Sequence, residues 1–150
     1  MPSIAPKYFL DSFTLIHAID KNSRFHEECL NVVIKCAKGE IDAATSLETL
    51  EETLYILSKL TTCSIALGVI SDLLKMSKIK KYEMNLSIFE QALEIIETTP
   101  LKRPKDAINV ATMLENKIRL IISEDKDYDK VQLIQRIHPK EIVKSPLKKG

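Results

Sequence analysis

The chain has 150 residues, 45% of them apolar, with 22 Lys and Arg against 21 Asp and Glu for a formal net charge of +1 at pH 7. That length suits one domain with a single core, and the near balance of charge excludes a molecule drawn as a whole to nucleic acid or to a membrane surface. No apolar run approaches the length of a membrane span and no secretory signal precedes the domain; the three cysteines, Cys29, Cys36 and Cys63, have no C-x-x-C spacing. The expectation is a reduced, cytoplasmic protein with no membrane partner.

In chain order, Tyr8-Phe9-Leu10 is a short apolar run that stops at Asp11, which fits a buried first strand ending in an acid. Ser12 can cap the helix that follows, where Leu15, Ile16 and Ile19 form a stripe. Ser23 suits the N-cap of the next helix, which Gly39 ends. Cys29 and Cys36 share a face of that helix and pack as small apolar residues. Ile41 to Thr45 reads as a second strand, and Ser46 caps a helix with Leu47, Leu50, Leu54 and Leu57 at helical spacing. A further helix runs from Thr61-Thr62 through Leu74, with Ile65, Val69, Ile70 and Leu73 expected inward.

Ser77 to Lys81 reads as a basic linker, Tyr82 to Asn85 as a weak third strand, and Ser87 to Thr98 as a helix. A helix then opens just after Pro104, in a slot that the first turn tolerates, and carries Asp106 in that turn. Ile118 to Ile122 is too short and too β-branched for a helix and reads as a strand; an acidic turn, Ser123 to Asp127, and a second apolar run, Val131 to Ile137, follow. From Ile142 onward the chain reads as a loose tail, basic at Lys144, Lys148 and Lys149. Strands alternating with helices imply α/β architecture, with a parallel sheet covered on both faces.

Four carboxylates stand out by position: Asp11 after the first strand, Glu52 early on the helix after the second, Asp106 opening a helix, and Asp125 after the fourth strand. In a parallel sheet the ends of strands one and four can be neighbours at the topological switch point, where ligands bind. Oxygen ligands without nearby His or Cys suit Mg²⁺ or Mn²⁺ better than zinc, and such an ion polarises phosphodiesters and activates water. Taken singly, each acid has an ordinary alternative: a favourable helix-dipole position for Asp106, a turn for Asp125, a solvated helix surface for Glu51 and Glu52. Asp127 and Asp129 read as turn or cap residues.

The motifs resemble the PIN domain, and in particular its VapC-like members, over roughly Lys7 to Ile142. They are Leu10-Asp11-Ser12 after an apolar strand, Ser46 leading to Glu52 and an aliphatic stretch, Arg103-Pro104-Lys105-Asp106-Ala107, and Ser123-Glu124-Asp125-Lys126-Asp127-Tyr128. The resemblance implies a three-layer α/β/α sandwich with a short, mainly parallel central sheet over residues 1–142, followed by a basic tail, 143–150. It implies Asp11, Glu52, Asp106 and Asp125 as acids holding Mg²⁺ or Mn²⁺ for endonucleolytic cleavage of RNA, with Ser12, Ser123 and Asn109 in support. For toxin-type members it also implies a small antitoxin partner and a homodimer.

The chain departs from the family pattern at Phe13, where a polar support (often Asn) is usual, and at Asn109, where many members have His. Glu51 competes with Glu52, and adjacent helix residues point about 100° apart, so only one can face the site; motif spacing favours Glu52. Two functions follow: a metal-dependent ribonuclease, with Lys102, Arg103 and Lys105 steering RNA, or an inactive PIN-like module that binds protein or RNA. Phosphotransfer on an aspartate is disfavoured, since Ser12-Phe13 follows Asp11 where an Asp-x-Asp pair would be needed, and no Gly-rich phosphate loop is present.

Overall fold

A computed structural model describes residues 5–144. The elements are β1 (Tyr8–Leu10), α1 (Ser12–Ile19), α2 (His26–Ala37), β2 (Ala43–Ser46), α3 (Leu47–Leu60), α4 (Cys63–Lys75), β3 (Ile79–Tyr82), α5 (Leu86–Thr98), α6 (Pro104–Glu115), β4 (Leu120–Ile122), a 3₁₀ turn at Lys126–Lys130, β5 (Gln135–Ile137) and α7 (Pro139–Lys144). The strands form one sheet in the order β3-β2-β1-β4-β5, and every neighbouring pair is parallel. The fold is the expected α/β/α sandwich.

Alternation along the short strands sends successive side chains to opposite faces. Phe9, Ala44 and Ile121 face one layer, where they pack with Ile88, Ala92 and Ile95 of α5 and Ala107, Val110 and Ala111 of α6. Leu10, Ala43 and Ile122 face the other, against Leu15 and Ala18 of α1 and Cys29, Val32 and Cys36 of α2. Cys29 and Cys36 are fully buried, as expected of small apolar residues, and burial pushes each thiol up to about 12. With both faces covered, β1 (Tyr8-Phe9-Leu10) and β4 (Leu120-Ile121-Ile122) in the middle of the sheet are apolar runs, as a parallel sheet requires. Among the described residues no helix is long and apolar enough to cross a membrane.

Several local expectations are corrected. The third strand is Ile79–Tyr82, so that it takes up the end of the segment read as a basic linker and only Tyr82 of the expected strand, and Asn85 is instead the N-cap of α5. The second strand is Ala43–Ser46. Asp11, not Ser12, caps α1, its carboxylate accepting from the Thr14 N–H. Ser23 does not cap α2, whose N-cap is Phe25 without a side-chain hydrogen bond; its hydroxyl accepts from the Phe25 N–H in the turn before the helix.

Ile65 of α4 points outward, 52% exposed, and Ala66 is buried in its place; Leu73 is buried as expected, with Val69 and Ile70 packed partly buried against the core. Ile142 is buried in the second core cluster rather than opening a loose tail, because α7 carries the chain back against α2. Lys148 and Lys149, read as part of a basic tail, lie outside the described residues.

Candidate active site

The sheet order changes direction between β1 and β4, which places this switch point beside the first and fourth strands. Register pairs Leu10 with Ile122 at their carboxyl ends, so Asp11 and Ser123, the next residues on each strand, emerge side by side. Ser123 Oγ donates to Asp11 Oδ2 at 2.5 Å. The Thr14 N–H and hydroxyl both donate to Asp11 Oδ1, at 3.1 and 3.3 Å, and the same hydroxyl donates to the Ile122 carbonyl. Asp11 is 3% exposed. Burial outweighs those donors and pushes its carboxyl up to about 7.

Asp106 sits in the first turn of α6, beyond the Pro104 that starts the helix. Tyr128, fully buried on the 3₁₀ turn, donates its hydroxyl proton to Asp106 Oδ1 at 3.3 Å and accepts from Asn109 Nδ2 at 3.0 Å. Asn109 in turn accepts from Thr49 Oγ1, and Thr49 accepts from the Ser46 hydroxyl. A buried line of polar groups thus runs from the end of β2 to Asp106. The other oxygen, Asp106 Oδ2, is buried without a hydrogen-bond partner. Burial raises the Asp106 carboxyl, against the pull of Arg103 and with a further push from Asp125.

Asp125 caps the 3₁₀ turn by accepting from the Asp127 N–H, and its own N–H is held by Ser123 Oγ. One carboxylate oxygen from each of Asp106, Asp125 and Asp127 lies within 4.8 Å of the others. Glu52 completes the acids from the first half of α3, where Ser12 Oγ donates to it at 3.1 Å and Lys105 Nζ stands 3.8 Å away. A cavity of about 350 Å³ is lined by Asp11, Glu52, Asp106 and Asp125 together, and by Ser12, Arg103, Asn109 and Tyr128. Glu51 does not line it; it is exposed on the same helix.

Ser12, Ser123 and Asn109 all hydrogen-bond to site groups. Arg103, placed by sequence in a basic patch, instead spans the acids at 3.8 Å from Asp106 and 3.7 Å from Asp125. Lys102 is turned away and donates to the Ile96 carbonyl of α5. Sequence reasoning assigned no role to Thr14, Thr49 or Tyr128 and read Asp127 as a turn residue. The Asp-x-Asp-aromatic spacing at Asp125-Lys126-Asp127-Tyr128 was the available signal for the last two. A cluster of carboxylates with one orphaned, buried oxygen and an all-oxygen donor set has the chemistry of a hard divalent cation site.

The chain matches the PIN domain family model over residues 8–133. No curated protein matches it by sequence. Among solved structures it is similar to VapC20 from Mycobacterium tuberculosis, described as a Sarcin-Ricin loop cleaving toxin, with 18% identity, a TM-score of 0.70, and coverage of 82% of this chain and 93% of that one. It is similar also to DNA-bound VapBC from Salmonella typhimurium, at 16% identity, TM-score 0.67 and coverage of 89% and 98%. The structure of PAE2754 from Pyrobaculum aerophilum superposes with TM-score 0.63 at 14% identity, over 94% and 90%. At such identities the likeness is one of fold.

Proposed function

Because this chain belongs to the PIN-domain family, we propose that it is an endoribonuclease that uses Mg²⁺ or Mn²⁺ to cleave RNA phosphodiester bonds. Asp11, Glu52, Asp106 and Asp125 are its metal-site acids, with Asp127 adjoining. The observation that carries this reading is the buried Oδ2 of Asp106, which accepts no hydrogen bond among the described residues and has the Arg103 guanidinium facing it at 3.8 Å, in a cluster with carboxylates of Asp125 and Asp127. Buried carboxylates close together repel one another and favour protons, and a divalent cation relieves both costs.

When bound, the ion supplies Lewis-acid polarisation of the phosphodiester and activation of water. The chain's own groups do the positioning. Ser123 and Thr14 fix the Asp11 carboxylate, Ser12 turns Glu52 toward the cavity, and Tyr128, held by Asn109, occupies one Asp106 oxygen and leaves the other without a hydrogen bond, facing Arg103. Arg103, well exposed at its side chain (63%), is placed to meet a phosphate oxygen through its planar donor fork.

Two structural relatives are described as a toxin and as a toxin–antitoxin complex, and this chain is proposed to act likewise, with a small antitoxin partner and a homodimeric state. An apolar groove of about 320 Å³ between α1, α2 and α4, lined by residues such as Leu15, Val33, Val69 and Leu73, offers a protein partner a concave surface. The inactive-module alternative drew on Phe13 and Asn109; the buried hydrogen bonds of Asn109 give that residue a supporting part in the site, which favours the nuclease.

Incubation of single-stranded RNA with the protein tests the activity. Cleavage that depends on Mn²⁺, stops with chelator and is lost in Asp106→Asn is expected; cleavage unaffected by chelator or by that substitution would overturn it. For the toxin role, induced expression should slow growth and Asp11→Asn should not, and equal growth of both strains would count against it.

A further inference from the structure

The acid cavity continues beyond its acids. Phe13, Ile16, His17 and Asp20 lie at helical spacing on one face of α1, and Glu52, Ile56 and Leu60 do the same on α3; all of them line the cavity. On α3 Glu52 gives way to the apolar Ile56 and Leu60, and on the α1 side Asp11 and Ser12 give way to Phe13 and Ile16 before His17 and Asp20 at the far end. The result is a cleft between α1 and α3 that is acidic where the sheet ends and, along α3, apolar at Ile56 and Leu60, with Leu60 about 12 Å from Glu52 at 1.5 Å per residue. Leu60 at its outer end is 55% exposed.

Phe13 supplies the aromatic surface of that apolar half. Its ring is set by neighbours: the His17 ring at 3.9 Å and the Phe25 ring at 5.5 Å between centroids. The His17 ring is fixed in turn by a 2.5 Å hydrogen bond between its Nδ1 and Ser23 Oγ. The position where the family pattern expects a polar support therefore holds a half-buried, pre-oriented ring beside the acids. An apolar wall rimmed by charged groups marks a ligand site, and a phosphodiester held at the acids carries its base a few bonds away.

We propose that Phe13, with Ile56 and Leu60, forms a stacking wall for a nucleobase of single-stranded RNA next to the scissile phosphate, so that the protein selects unpaired RNA by its bases as well as its backbone. This rests on the nuclease reading above. Stacking of bases on aromatic side chains is how single strands are commonly held.

The test uses the full chain and two fluorescently labelled probes, a random-sequence single-stranded oligoribonucleotide and an abasic ribose-phosphate strand of the same length. Phe13→Leu keeps volume and removes the aromatic face. It should weaken binding of the base-bearing strand about tenfold, leave the abasic strand unchanged, and leave Mn²⁺ binding and the melting temperature near wild type. Phe13→Trp should retain base-bearing affinity. Leu60→Asn, at a half-exposed position, should give a smaller loss in the same direction and stands in if Phe13→Leu does not fold.

Equal weakening of both strands, or none, overturns the wall while leaving the nuclease reading intact. Failure of the wild type to bind either strand overturns both. A loss confined to self-association, read by gel filtration of the same variants, would reassign the wall to contact with a second copy.

Discussion

Ser123 at the end of β4 donates to Asp11 at the end of β1, 112 residues earlier in the chain, and the bond crosses the point where the sheet order turns. It is the shortest path by which the fold fixes an acid of the site. Ser123 also holds the Asp125 N–H, and Arg136 of β5 donates to its carbonyl at 3.2 Å. One serine therefore ties two of the proposed metal-site acids to the sheet.

Ser123→Ala should leave the fold in place but free Asp11 Oδ2 and loosen Asp125. Losing a partner that orients a metal-binding carboxylate weakens metal affinity about 10- to 100-fold. Calorimetric titration of Mn²⁺ into this variant checks the expectation. Wild-type affinity would remove Ser123 from the site.

Tyr128→Phe removes the hydroxyl that bridges Asn109 and Asp106 and leaves the Asn109 amide without its acceptor. Loss of a buried hydrogen-bonded partner costs about 1–3 kcal/mol, so the urea midpoint should fall, and Mn²⁺ binding should weaken with it. A variant as stable as wild type would show that this polar line contributes little.

The Asp11 carboxyl, pushed up from 3.8 to about 7 by burial, sets a pH dependence. Between those values the folded protein holds a proton that the unfolded chain has released. Stability falls with rising pH wherever the native state binds more protons. Metal-free protein should therefore lose stability as pH rises from about 4 through about 7, with Asp106, also raised, acting in the same direction. Urea midpoints across that window in the presence of chelator measure this. Asp11→Asn should flatten the slope, and saturating Mn²⁺ should restore stability near pH 7; a midpoint that rises across the window would contradict the assignment.

Arg103→Ala separates two roles. The guanidinium lies 3.7–3.8 Å from Asp106 and Asp125, so it competes with a cation for these carboxylates while offering donors to phosphate. The variant should bind Mn²⁺ more tightly and RNA more weakly, with the log–log salt slope of RNA binding reduced by about 1. An unchanged salt slope would leave Arg103 as a partner of the acids alone.

The order of helices and strands was legible in the sequence because apolar runs stop at acids and caps. Asp11, Glu52, Asp106 and Asp125, which line one cavity, were marked by their places at strand ends or in early helix turns, Glu52 being preferred to Glu51 on motif spacing. What escaped detection had physical causes. β3 lies at a sheet edge, where Lys80 and Lys81 suit a strand with one unpaired side, so its charges looked like a linker. α4 is apolar around most of its circumference, and periodicity could not tell Ile65 from Ala66. The register of β1 on β4, which brings Ser123 to Asp11, is a tertiary fact that no local pattern encodes. Phe13 read as a missing polar group because a motif records what a position usually holds, whereas the fold sets its ring against His17 and Phe25 and on the wall of the acid cavity.

Calorimetric titration of Mn²⁺ into wild type and Asp106→Asn tests most directly whether these carboxylates form a metal centre. Saturable binding by wild type, weakened by more than about tenfold in the variant, is the expected result. No binding to the wild type, or equal binding to both proteins, would contradict the metal centre and the nuclease built on it.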